Sequence, residues 1–137
     1  PFAGEEIPSA PAFSLEPAPP EEGGVDAARR LFELPDPPTA IVCGHDIVAM
    51  GVMRAISETG RVPGKDIGVI GGDDHPIGRL LSPALTTFSA ETHRAGKRMV
   101  EMLLARLDGA PAEELQELWN PELILRASDG PPRSSAP

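Results

Sequence analysis

The chain has 137 residues, of which 40% are hydrophobic and 24% are charged, a composition typical of one globular domain. Its 12 Lys and Arg residues against 21 Asp and Glu residues give a net charge of −9, so this segment is not expected to bind DNA by itself. The single cysteine excludes an internal disulfide, and no apolar stretch approaches the roughly 20 residues that a membrane-spanning helix needs.

The first part of the chain predicts one helix. Prolines interrupt residues 1–23, where only the segment 13–15 has the apolar character of a short strand. Residues 24–34 carry apolar side chains at helical spacing, and Pro35 follows them. Since proline cannot continue a helix, we expect this helix to end before it.

A strand–helix–strand unit occupies the middle of the chain. Residues 39–43 and 67–71 are apolar and rich in β-branched side chains, as expected of strands that are buried on both faces. Residues 47–59 between them have apolar side chains at helical spacing. A unit of this length connects two parallel strands by a right-handed crossover. The sequence therefore predicts an α/β domain with a parallel sheet flanked by helices.

Polar residues follow both strands of this unit. They are His45, Asp46, Asp73 and Asp74. The carboxyl ends of parallel strands lie at one edge of a sheet, which is where open α/β sheets bind ligands. We therefore predict a small-molecule site at this edge, with Asp73 exposed at a strand end and close to His45. Asp46 directly precedes the helix, where we expect it to act as the cap.

The rest of the chain predicts shorter elements around one long helix. A turn at 76–81 and a brief strand at 85–88 precede a helix at 91–107. Residues 119–127 read as one or two final strands. Residues 129–137 are rich in proline and serine and are predicted to form a disordered tail.

Four segments resemble the effector-binding core of LacI/GalR-type transcriptional regulators. They are PTAIVCGHDIVAMG from Pro38, DIGVIGGDD from Asp66, PALTT from Pro83 and ELILRAS from Glu122. These motifs occur in the order and at the spacing typical of that family, and the similarity extends over residues 24–128. The resemblance implies one lobe of a type I periplasmic-binding-protein-like fold, in which two α/β lobes enclose the ligand. It also implies that the chain is part of a longer regulator.

The resemblance assigns the segments to the two lobes. Residues 1–86 and 119–128 would form the carboxyl-side lobe, whereas residues 87–118 would be a crossover strand and a helix of the other lobe. Much of that other lobe is not represented in this sequence. We therefore expect the helix at 91–107 to lack part of the sheet on which it would pack.

The resemblance also implies a set of ligand-binding residues. They are Asp73, His45, Thr92 and Asp46. The family uses an aspartate at the position of Asp73 to accept hydrogen bonds from ligand hydroxyl groups, although a strand-end aspartate that only caps a turn is the simpler alternative. His45 replaces the usual asparagine, Thr92 replaces a frequent aromatic residue, and Asp46 is favoured as a helix cap over a ligand contact.

Two alternative functions follow from the same residues. His45, Asp46, Asp73, Asp74 and His75 could together bind a divalent metal and activate water for hydrolysis. No nucleophile–base pair accompanies them, so we expect neither catalysis nor a bound metal or other cofactor. The second alternative is a periplasmic sugar-binding protein of a transporter, which shares the two-lobe fold.

The favoured function is the effector-binding and dimerisation domain of a LacI-type repressor that senses a small polar ligand such as a sugar or nucleoside. The resemblance places a homodimer interface at Met50, Met53 and Leu81. Operator DNA would be bound only through a helix-turn-helix that precedes this segment. We expect a cytoplasmic protein, in agreement with an unpaired Cys43, and no contact with a membrane.

Overall fold

The computed structural model describes residues 19–130. The strand predicted at 13–15 lies outside this range, and so does most of the tail predicted at 129–137. Asp129 is within it, and its carboxylate accepts a hydrogen bond from the hydroxyl group of Thr86. The prediction of disorder from residue 129 onward is therefore wrong for Asp129.

The described residues form three α-helices and four strands. In chain order they are α1 (Pro20–Phe32), β1 (Ala40–Val42), α2 (Asp46–Glu58), β2 (Gly68–Gly72), β3 (Thr86–Ser89), α3 (Thr92–Leu107) and β4 (Glu122–Ile124). Two short 3-10 helices, Pro76–Leu80 and Ala112–Glu114, lie between them. Helix α1 begins earlier than the predicted residue 24, because proline is tolerated in the first turn of a helix, where its missing N–H is not needed.

The strands form one sheet in the order β1-β2-β3-β4. Strands β1 and β2 are parallel, and so are β2 and β3. The α/β class and the parallel crossover through α2 are therefore confirmed. Strand β4 pairs with β3 in the antiparallel direction, so the sheet is mixed at that edge.

The core lies between the two amino-terminal helices and the sheet. Helix α1 packs on α2, which packs on β2. The largest fully buried apolar side chains are Ile56, Leu85, Val52 and Val69. The prediction that β1 is buried on both faces is wrong, because Val42 is 69% exposed and only Ile41 of this strand packs against the core.

Helix α3 lies outside this core. None of its residues is buried, and five of its apolar side chains are more than half exposed: Met99, Val100, Leu103, Leu104 and Leu107. The described residues therefore leave the apolar side of this helix uncovered. Among residues 19–130, no helix combines the length and the apolar character needed to cross a membrane.

Two glycines set the distance between α1 and α2. A Cβ atom at Gly51 would lie 2.1 Å from the carbonyl oxygen of Glu21, and one at Gly24 would lie 2.2 Å from the carbonyl oxygen of Val48. Both obstacles are backbone atoms, so rotation of a side chain cannot relieve the overlap. Any larger residue would force the helices apart.

We predict that Gly51→Ala lowers the free energy of unfolding by about 1–3 kcal/mol, the usual cost of overpacking a well-packed core. Urea unfolding followed by circular dichroism measures the change. Gly96→Ala in α3 is the control, because a Cβ atom there meets nothing within 4 Å. That substitution should leave the stability unchanged or raise it by up to about 1 kcal/mol. Equal stability of Gly51→Ala and the unaltered chain would contradict this account of the helix crossing.

Candidate functional site

His45 and Asp73 meet at the carboxyl ends of β1 and β2. His45 is the residue directly before α2, and Asp73 directly follows β2. The Nδ1 atom of His45 lies 2.7 Å from Oδ2 of Asp73. The two side chains are 70% and 47% exposed, so both remain accessible from solvent. The predicted proximity of these residues is confirmed.

The backbone turns sharply at this point. Asp73 has φ 100° and Asp74 has φ 50°, which are left-handed values that residues with a side chain rarely adopt. A hydrogen bond of 2.8 Å from the backbone N–H of Asp73 to the carbonyl oxygen of Phe88 holds the turn against β3. Such strain persists only where the surroundings stabilise it, and it is concentrated at binding sites.

Asp46 lies beneath this pair and is only 1% exposed. Its carboxylate accepts one hydrogen bond from the hydroxyl group of Thr87, at 2.5 Å, and another from the backbone N–H of His75, at 2.6 Å. His45 rather than Asp46 occupies the capping position of α2. The predictions that Asp46 caps the helix or contacts ligand are therefore wrong, because distant partners draw its side chain inward.

Cys43 is buried in the same region, directly after β1. Burial, together with the negative charge of Asp46, raises the pKa of its thiol to about 12. At neutral pH the thiol is therefore uncharged and a poor nucleophile. This excludes Cys43 as a reactive group in the folded domain.

Asp74 connects the site to the end of the chain. Its carboxylate accepts hydrogen bonds from Arg126, which follows β4, and from Arg79, at 3.0 Å. Burial opposes ionisation of Asp74, but the hydrogen bonds from Arg126 and Arg79 outweigh it and hold the pKa of the carboxyl group below its usual value. Arg126 also donates to the carbonyl oxygen of Leu85, at 2.7 Å. The sequence indicated no role for Arg126, although this residue lies in the ELILRAS motif.

The five side chains considered for a metal do not converge. Asp46 and Asp74 face the separate partners described above, and Nδ1 of His75 accepts a hydrogen bond of 3.3 Å from the backbone N–H of Ile77. Within the part of the chain that the structure describes, no three His, Cys, Asp or Glu side chains are arranged to hold a metal ion. The arrangement therefore gives no support to metal-dependent hydrolysis.

Thr92 and the only tryptophan of the chain lie beyond β3. Thr92 is the first residue of α3 and is exposed, and its contact with ligand stays a prediction. Trp119 lines a cavity with Glu91 and Asn120, and the guanidinium carbon of Arg94 lies 4.8 Å from the centre of its ring. The sequence predicts Trp119 only as part of a final strand, because its cavity forms between segments that are distant in the chain.

A family of known proteins shares this architecture. The model of the periplasmic binding protein-like domain family matches residues 4–128. The chain is 35% identical over 122 residues to the HTH-type transcriptional regulator AglR of Rhizobium meliloti, covering 85% of this chain and 34% of that protein. It is 39% identical over 108 residues to the HTH-type transcriptional repressor PurR of Photobacterium profundum, covering 78% of this chain and 32% of that protein.

Solved structures agree with these similarities. A LacI-family transcriptional regulator from Arthrobacter sp. FB24, in complex with lactose, is 35% identical with a TM-score of 0.70, covering 79% of this chain and 41% of that one. The dimeric Lac repressor with an 11-residue carboxy-terminal deletion is 27% identical with a TM-score of 0.72, covering 82% of this chain and 41% of that one.

The chain belongs to the periplasmic binding protein-like family. Within it, the chain corresponds to the effector-binding core of LacI/GalR-type regulators, as the motifs indicated. It spans about a third of the length of the curated relatives described above. Those relatives are regulators rather than enzymes, in agreement with the prediction of a non-catalytic domain.

We predict that Arg126→Gln lowers the free energy of unfolding at neutral pH by about 1–3 kcal/mol, because it leaves a largely buried carboxylate short of a donor. The low pKa of Asp74 stabilises the fold above the ordinary aspartate pKa of about 3.9, and this stabilisation is lost as the pH falls through the folded-state value. The variant should therefore lose less stability on acidification than the unaltered chain does.

Arg79→Gln is the matched control, because Arg79 binds the same carboxylate from an exposed position. We expect it to cost less than about 1 kcal/mol, as is usual for an exposed ion pair. Urea unfolding of both variants at neutral and acidic pH separates the two effects. Equal costs for the two arginines would show that burial of the Arg126 pair is not what stabilises this junction.

Proposed function

We propose that this domain binds a small polar effector at the edge of the sheet formed by His45 and Asp73, as part of a LacI-type repressor. The observation that carries the proposal is the exposed His45–Asp73 pair at the ends of parallel strands, in which Asp73 lies on a strained turn. One of the similar regulators was solved with lactose, which supports a sugar-like ligand.

The mechanism is a linkage between two binding sites rather than catalysis. A ligand that binds between two lobes stabilises one relative orientation of them. In a dimer this would change the spacing of the DNA-binding heads, and so couple effector binding to operator binding. The net charge of −9 on this chain makes direct DNA contact unfavourable, so a separate helix-turn-helix would bind the operator in the cytoplasm.

The transporter alternative rests on the same fold. A periplasmic sugar-binding protein would use the same edge of the sheet for its ligand. The relatives named above are regulators with an HTH-type DNA-binding segment, and this similarity favours the repressor.

We predict that Asp73→Ala lowers the affinity for the effector at least about tenfold, since hydrogen bonds to a charged group contribute about 1.5–3 kcal/mol. Backbone amide shifts of His45 and of residue 73 in NMR spectra report binding. The panel begins with lactose and continues with other neutral sugars and nucleosides. It also includes adenine and acetate, which have no vicinal hydroxyl groups.

Asp36→Ala is the control, because Asp36 is an exposed aspartate that precedes β1, at the other end of the strand. It should bind as the unaltered chain does. A panel in which no ligand shifts these amides, or in which Asp73→Ala binds normally, would refute the proposed site.

The dimer interface belongs to the same proposal, but the structure changes two of its predicted residues. Met53 is 7% exposed and packs in the core of its own chain, so its placement at an interface is wrong. Leu81 is partly buried against the same core, whereas its neighbour Leu80 is 83% exposed. Met50 remains partly exposed on α2. We therefore propose that Met50 and Leu80 form a self-complementary apolar patch across a two-fold axis.

Replacing both residues, as Met50→Asp and Leu80→Asp, should produce a monomer in sedimentation-velocity experiments, because two-fold symmetry places the added charges in the interface twice. The control variant carries Leu103→Asp and Leu107→Asp, which alter the exposed apolar side of α3 instead. We expect the control to remain dimeric. Dissociation of the control but not of the first variant would place self-association on α3.

A further inference from the structure

The hydrogen bond to Asp73 determines which nitrogen of His45 carries the proton. An ionised carboxylate can only accept hydrogen bonds, and Oδ2 of Asp73 lies 2.7 Å from Nδ1 of His45. Nδ1 must therefore be the donor. A neutral imidazole has a single N–H group, so Nε2 is left with a free lone pair.

This tautomer gives the site a distinct chemical character. Nε2 of His45 and Oδ1 of Asp73 are both hydrogen-bond acceptors, and both belong to exposed side chains. An asparagine at residue 45 could bond to the same carboxylate through its amide group and still offer a second N–H to ligand. Histidine has no such second N–H group, so the exposed Nε2 of His45 and Oδ1 of Asp73 can only accept hydrogen bonds from ligand.

We propose that His45 is a specificity-determining residue that selects ligands with two adjacent hydrogen-bond donors, such as a vicinal pair of hydroxyl groups. This inference rests on the proposed function of the same site. A ligand that presents only ether, carbonyl or carboxylate oxygens would face two acceptors and a negative charge. The site rejects such a ligand because neither partner then supplies a hydrogen-bond donor to the other.

His75 provides an internal reference for the tautomer. Its Nδ1 atom accepts the hydrogen bond from the backbone N–H of Ile77, so in the neutral ring the proton must be on Nε2. The two histidines lie at the same edge of the sheet with opposite partners. They should therefore carry their protons on opposite nitrogens.

The first test is a long-range proton–nitrogen NMR correlation of the histidine rings at mildly alkaline pH, with no ligand. We expect a protonated Nδ1 and a bare Nε2 for His45, and the reverse for His75. Asp73→Ala should remove the preference of the His45 proton for Nδ1 and leave the tautomer of His75 unchanged. A proton on Nε2 of His45 in the unaltered chain would overturn the inference, whatever the effector is.

The second test compares lactose with fully O-methylated lactose, which keeps its oxygen acceptors and has no donor. We expect the unaltered chain to bind lactose at least about tenfold more tightly, as the loss of a charge-assisted hydrogen bond implies. His45→Asn should narrow this preference. Because the methyl groups add the same bulk in both proteins, the narrowing isolates hydrogen bonding from steric exclusion.

The outcomes distinguish this inference from the proposed function. Equal binding of the two sugars, or binding of acetate but of no hydroxyl compound, would confirm a ligand site here and overturn the selection of donors. Failure of every ligand to bind would refute the proposed function, whereas the tautomer measurement needs no ligand and tests separately whether His45 presents an acceptor at Nε2.

Discussion

The buried carboxylate of Asp46 is the constraint on which the site depends. It accepts hydrogen bonds from Thr87 on β3 and from the backbone N–H of His75 after β2, while its own backbone begins α2. An unpaired carboxylate at this depth would be very unfavourable, so the folded domain must keep both donors in place. The strand ends that carry His45 and Asp73 are thereby held in register. The same constraint requires glycine at residue 71, since a Cβ atom there would lie 2.2 Å from Oδ1 of Asp46.

Sequence alone predicted the parts of the fold that arise from local patterns. The β1-α2-β2 crossover could be read from the periodicity of residues 39–71, and the meeting of His45 with Asp73 followed from strand direction alone. The burial and the hydrogen-bond partners of Asp46 could not be predicted in this way, because these partners lie 29 and 41 residues away. Helical periodicity likewise did not distinguish Met50 from Met53, since the burial of Met53 depends on the tertiary packing of the core.

Helices α2 and α3 differ in how much of their apolar surface is covered by other elements. Helix α2 buries its apolar side between α1 and β2, whereas α3 leaves Leu103, Leu104 and Leu107 more than half exposed. The chain spans about a third of its curated relatives, and the resemblance assigns α3 to a second lobe. An exposed apolar stripe of this kind is typical of a surface that packs against further protein. The division into two lobes remains a prediction.

Because Cys43 is buried, the rate at which its thiol is chemically labelled can report local opening of the domain. Its thiol lies directly after β1 and two residues before His45, and its high pKa suppresses alkylation while the strand end remains packed. Any modification must therefore proceed through molecules in which this edge of the sheet has transiently separated. The rate of labelling would report the free energy of that opening, in the way that amide hydrogen exchange does for backbone groups. A ligand that bridges β1 and β2 would slow the labelling without touching the sulfur atom.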